Sequence, residues 1–158
     1  EEAFSLMDMV SSLGADVQIV AHIDLHETTD TDESEFRPAL MARDGLPYEG
    51  GLIPDGFYAV GDTENPQEGF QAAIINEVRK VTHIAPADED GTIIGTKVEQ
   101  EGVINYPFKA LGLCAGMTGA RFTSTTEIYP DSPKVTDENC NAAQIAAVCA
   151  ALDFALSQ

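Results

Sequence analysis

The chain has 158 residues, 44% of them hydrophobic, which is enough for one domain with a sizeable core. It carries 27 Asp and Glu against 8 Lys and Arg, a formal charge of −19. So acidic a surface repels phosphate backbones and anionic lipid headgroups, which argues against nucleic-acid and membrane-surface roles.

Residues 2–13 (EAFSLMDMVSSL) place Phe4, Leu6, Met7, Val10 and Leu13 at helical spacing, with Gly14 as a stop. Residues 17–25 (VQIVAHIDL) are short, apolar and rich in Val and Ile, the pattern of a buried strand. From His26 to Gly56 regular patterning stops. Six acids fall between Asp24 and Glu35 with no Lys or Arg to offset them, and Pro and Gly punctuate the rest. The expectation is a long loop that shapes a cleft. The run Asp30-Thr31-Asp32-Glu33-Ser34-Glu35 lacks the glycine and spacing of an EF-hand, so it reads as a solvated acidic loop.

Residues 57–60 suggest a strand. Residues 66–80 suggest a helix that begins at Pro66, carries an apolar stripe through Phe70, Ile74, Ile75 and Val78, and ends on Arg79 and Lys80. Residues 84–106 read as a hairpin turning at Asp90-Gly91. The Gly-rich residues 110–119 read as a tight connection, and 121–128 (RFTSTTEI) as a strand. Thr136 or Asp137 can cap a final helix running to about residue 156, with Ile145, Val148, Cys149, Leu152 and Leu156 expected on its packed face. Cys114, Cys140 and Cys149 form no CxxC pair and are expected as small core residues. No run of 18 apolar residues and no signal peptide is visible. The chain begins at Glu1 rather than Met, so the true N-terminus is expected to lie outside it.

Two constellations carry chemistry. In the first, strand alternation turns His22, Asp24 and His26 to one side and Ile23 and Leu25 to the other. Ligands of open α/β sheets bind beyond the carboxyl ends of the strands. A histidine there can ligate zinc, with a neighbouring carboxylate orienting its ring, or can be an ordinary polar strand-end residue. His22, deeper in the apolar run, fits a hydrogen-bonded core position. In the second, Arg121, Thr123, Thr125 and Glu127 share one face of their strand. Glu127 is either a strand-end carboxylate facing water or a partly buried group whose raised pKa suits proton transfer.

Together, Asp24-Leu25-His26-Glu27-Thr28-Thr29 and Thr125-Thr126-Glu127-Ile128 resemble elements of the zinc carboxypeptidase superfamily, most closely its aspartoacylase and succinylglutamate desuccinylase branch. The first stretch is similar to the family's DLHxT motif and the second to the late strand bearing its catalytic glutamate, followed by a last helix. The resemblance implies an α/β fold, a mixed sheet with helices on both faces, of the zinc-peptidase type (phosphorylase/hydrolase-like). Residues 1–158 would be a single unit, the C-terminal portion of a catalytic domain incomplete at its N-terminus. It implies His26 as third ligand of one zinc ion and Glu127 as general base and acid. It also implies a metallocarboxypeptidase that removes a C-terminal amino acid from a peptide; a cytoplasmic location is expected separately, from the acidic composition and from cysteines that demand no oxidising compartment. An N-acyl amino acid amidohydrolase is the alternative, and an acidic α/β binding domain without a complete metal site is the non-enzymatic one. A second metal, on Asp24 or His22, is the less favoured variant.

The family takes its first two ligands from an upstream HxxE motif. No HxxE occurs here: His22, His26 and His83 are followed at the third place by Leu25, Thr29 and Pro86. Those ligands are therefore expected on a segment outside this chain. The family's substrate-carboxylate arginine also lies upstream; Arg37, Arg43 and Arg121 are unranked substitutes. Tyr106 stands where the family has a substrate-binding tyrosine, or is simply a half-buried strand aromatic.

Overall fold

The computed structural model describes residues 2–14, 16–48 and 50–158, and of Cys114 it describes the backbone only. The chain forms a six-stranded mixed sheet in the order β1-β6-β2-β5-β4-β3. In chain order the elements are α1 (Glu2–Ser12), β1 (Ala21–Leu25), a π-helical turn (Asp32–Phe36), α2 (Arg37–Asp44), β2 (Tyr58–Asp62), α3 (Glu68–Val78), β3 (Thr92–Ile93), β4 (Thr96–Gln100), β5 (Val103–Tyr106), α4 (Phe108–Leu111), a 3-10 turn (Cys114–Met117), β6 (Phe122–Glu127) and α5 (Asp137–Leu156). β6 lies between parallel β1 and antiparallel β2; β2 and β5 are parallel.

The sheet's two faces differ in kind. On one, Phe57, Ala59, Val103 and Phe122 are closed off by α3 and α5. Phe70, Phe122 and Phe154 form an aromatic cluster with ring centroids 5.3–5.9 Å apart. The opposite face carries a smaller cluster of Tyr58, Ala85, Ile93 and Ile104 and only short helical segments. That face holds the candidate site.

Several expectations are corrected. The packed face of α5 is an alanine stripe, Ala143, Ala147, Ala150, Ala151 and Ala155, whereas Ile145, Leu152 and Leu156 are 64%, 48% and 83% exposed. Small side chains let the helix axis approach α3 and the sheet closely, and close packing outweighs the larger residues' preference for burial. Cys149 lies on the exposed side too, Cys140 is buried, and the expectation for the Cys114 side chain lies outside the described residues. By length and composition α5 could cross a membrane, but its alanine face belongs to this core. Its N-terminus is closed as expected: Thr136 and Asn139 form a capping box.

The stretch after His26 is not one long loop. It contains the π-helical turn and α2, which has Pro38 in its first turn and left-handed Gly45 (φ 70) after its last. These are helix start and stop signals that also punctuate loops. The acidic run is structured accordingly: Asp32 Oδ2 accepts the Thr29 amide at 2.7 Å, and Glu33 pairs with Arg37 at 2.5 Å and accepts from the Tyr48 hydroxyl. The expected single hairpin is two. β3 and β4 turn at Ile94-Gly95, and β4 and β5 turn at Glu101-Gly102, while Asp90-Gly91 forms a turn before β3. β1 starts at Ala21, leaving Val17 and Val20 exposed, and no residue of α1 is buried.

Candidate active site

The two constellations meet. β1 and β6 pair in parallel with His22 opposite Thr123, Asp24 opposite Thr125 and Leu25 opposite Thr126. The ladder continues past the strand end, because the His26 amide donates to Thr126 O and the Thr28 amide to Ile128 O, both at 2.8 Å. His26 is thereby held beside Glu127. Side-chain alternation puts His22, Asp24, His26, Thr123, Thr125 and Glu127 on the same face.

Asp24 Oδ2 lies 2.8 Å from His26 Nδ1, which fixes that nitrogen as the protonated donor and turns Nε2 outward. The bond to Asp24 raises the His26 pKa, with the Asp24, Glu127 and Asp32 charges adding to it and partial burial opposing. The backbone is held as well: His26 O accepts from Gln144 Nε2 of α5 at 2.9 Å, and Gln144 Oε1 accepts from the buried Thr126 hydroxyl at 2.6 Å.

Burial raises the Glu127 pKa; the Thr28 hydroxyl, which donates to Oε2 at 3.0 Å, and the His26 charge pull the other way. The net shift brings the carboxyl nearer to neutral pH, where it can both accept and donate a proton. Across β2, Tyr58 stands opposite Glu127, 3% exposed, its phenol pKa raised by burial and then by the Glu127 charge.

A cavity of about 540 Å³ opens over these groups. His26, Thr28, Tyr58 and Glu127 form its polar floor, and Arg37 and Tyr106 reach it from α2 and the end of β5. Of the three candidate arginines Arg37, Arg43 and Arg121, only Arg37 lines it: Arg43 is paired with Asp44, and the Arg121 guanidinium stacks over Phe122, 4.7 Å from the ring centroid. Tyr106 is 40% exposed, a strand-end aromatic with a free edge at the cavity. His22 is spent elsewhere, its Nδ1 3.0 Å from Ala115 O and 3.1 Å from Thr118 Oγ1.

Sequence reasoning missed Thr28 and Tyr58. Thr28 sits in the quoted DLHETT stretch and could have been found there. Tyr58 joins Glu127 only through the cross-strand register, which leaves no local signal. Among the described residues no three His, Cys, Asp or Glu side chains converge as a metal site. No family model matches the sequence, and no curated protein matches it significantly.

Proposed function

We propose that this chain supplies half of the active site of a zinc-dependent hydrolase of the carboxypeptidase kind, which removes a C-terminal amino acid from a peptide. The observation that carries the reading is the pairing of an Asp24-oriented His26 with a partly buried, pKa-raised Glu127 at the carboxyl ends of adjacent parallel strands. A carboxylate bonded to one ring nitrogen, with the other nitrogen turned outward, is the usual arrangement of a zinc-bound histidine. His26 fits one ligand position, and on this reading the further ligands would have to be supplied by groups other than the described residues.

Zinc, when bound, would lower the pKa of water to roughly 7 and polarise the scissile carbonyl. The chain's own residues do the rest. Thr28 holds Glu127 Oε2, leaving Oε1 to take the proton of the attacking water and hand it to the leaving amide nitrogen as the C–N bond breaks. Tyr58 closes the floor and keeps the carboxyl partly desolvated. Arg37 is the cation in reach of a substrate carboxylate, which it would accept by exchanging its bond to Glu33.

The test is the product. In the polypeptide that carries the remaining ligands, a peptide with a free C-terminus should lose its last amino acid, and its C-terminal amide should not. Release of acetate or succinate from an N-acyl amino acid, with no peptide cleavage, would refute the peptidase reading.

A further inference from the structure

Ile94 is the one non-glycine with positive φ among the described residues, at φ 48. With Gly95 at φ 76 it forms the two-residue turn between β3 and β4, whose flanking pair is Ile93 with Thr96. Tight hairpin turns with both central residues left-handed favour Asn, Asp or Gly at the first position. A β-branched residue there is strained, and strain of this kind gathers at ligand-contacting sites. Asparagine would satisfy the backbone better, so the local conformation gives no reason for isoleucine.

Its side chain, 40% exposed, faces the cavity above Glu127. Phe36, Leu40 and Met41 line the same cavity. Phe36 is 62% exposed, so this wall too shows apolar surface to water. The cavity thus has a polar floor bearing the acid-base groups and two apolar wall segments, one from the β3–β4 turn and one from Phe36–Met41. Its one arginine is already paired with Glu33, and Glu27, Asp32 and Glu127 make it acidic. An acidic side chain would be repelled there, while an aliphatic or aromatic one would cover both walls.

We propose that the β3–β4 turn and the Phe36–Met41 segment form a specificity pocket for an aliphatic or aromatic side chain, with Ile94 as its selecting residue. The occupant is the side chain of the amino acid released from the scissile amide. This assignment rests on the hydrolase reading for the identity of the substrate, but not for the existence of the pocket.

Binding is tested on this chain by methyl NMR with 4-methylpentanoate and succinate as probes. The first should shift the Ile94, Leu40 and Met41 methyl signals saturably, and succinate should bind at least about tenfold more weakly, since pocket contacts of this size discriminate by about 10–200-fold. Ile94→Asn should weaken 4-methylpentanoate about tenfold or more while its thermal midpoint holds or rises, because the turn strain is relieved. Should Ile94→Asn fold poorly, Met41→Ala trims the other apolar wall segment and should weaken the same probe. In the complete hydrolase, Ile94→Asn should lower the ratio of kcat/KM for substrates ending in Leu over those ending in Ala by a similar factor. Equal binding of both probes, or undiminished binding and selectivity in folded Ile94→Asn, overturns the proposal. Selective binding of 4-methylpentanoate without any amide cleavage upholds the pocket and overturns the hydrolase reading instead.

Discussion

Gln144→Leu tests how the helix layer holds the site. The amide bridges two elements: Oε1 accepts the Thr126 hydroxyl at 2.6 Å, and Nε2 donates to His26 O at 2.9 Å. Leucine keeps most of the volume and removes both bonds. Thr126 is 0% exposed, so its hydroxyl is left buried without this acceptor, at a cost of about 1–3 kcal/mol. The His26 carbonyl lies nearer the surface and can be hydrated, so it adds little. For a chain of this size each kcal/mol moves the melting midpoint by about 2–4 °C, giving an expected loss of about 4–8 °C for a mid-range cost. Adding Thr126→Val should restore much of it, because replacing both partners of a buried bond by apolar groups is nearly neutral. Calorimetry of the four-member cycle should therefore show a coupling of about 1 kcal/mol or more. Amide exchange at His26 should quicken in the single variant. An unchanged midpoint in Gln144→Leu, or strict additivity in the cycle, would refute the bridge.

Other expectations follow from the same geometry. On α5, Ile145→Ser should change stability by no more than about 0.5 kcal/mol, whereas Phe70→Ala, in the aromatic cluster, should cost about 3–5 kcal/mol, both read by urea unfolding. Asp55 is held ionised by Lys134 at 2.6 Å, then by Ser132 and His83, all of which lower its pKa. A depressed carboxyl pKa stabilises the fold above the unfolded value of about 4, and that contribution fades as pH falls through the folded value. The stability gap between the parent and Asp55→Asn should accordingly be full at neutral pH and close as denaturation is followed below about pH 4; a gap independent of pH would contradict the ion-pair account. This chain alone should bind zinc weakly, and His26→Ala should abolish what binding calorimetry detects. Tight stoichiometric zinc on the isolated chain would refute the claim that its ligand set is incomplete.

How much of this was legible in the sequence depended on the range of the signal. The strand period of two placed His22, Asp24 and His26 on one face and Thr123, Thr125 and Glu127 on another, and both groupings hold. That the two faces coincide is a matter of register between strands whose paired residues lie 101 apart in sequence, set by which strand lies beside which. The α5 pattern held two apolar stripes, and a hydrophobicity argument favours the larger residues. The core chose the alanines, because the space beside α3 and the sheet is narrow. α2 was hidden by Pro38 and Gly45, which mark helix ends as readily as loops. Arg37 could not be ranked above Arg43 or Arg121 without knowing that this helix existed.

The central proposal is that His26 and Glu127 work on one substrate bond, and substitution of Glu127 in the zinc-loaded protein tests it most directly. Glu127→Gln keeps the size and the Thr28 bond but cannot carry a proton. Peptide cleavage should fall by about 10²–10⁴-fold in kcat, with zinc content unchanged. Undiminished turnover in a folded, zinc-loaded Glu127→Gln protein would contradict the account.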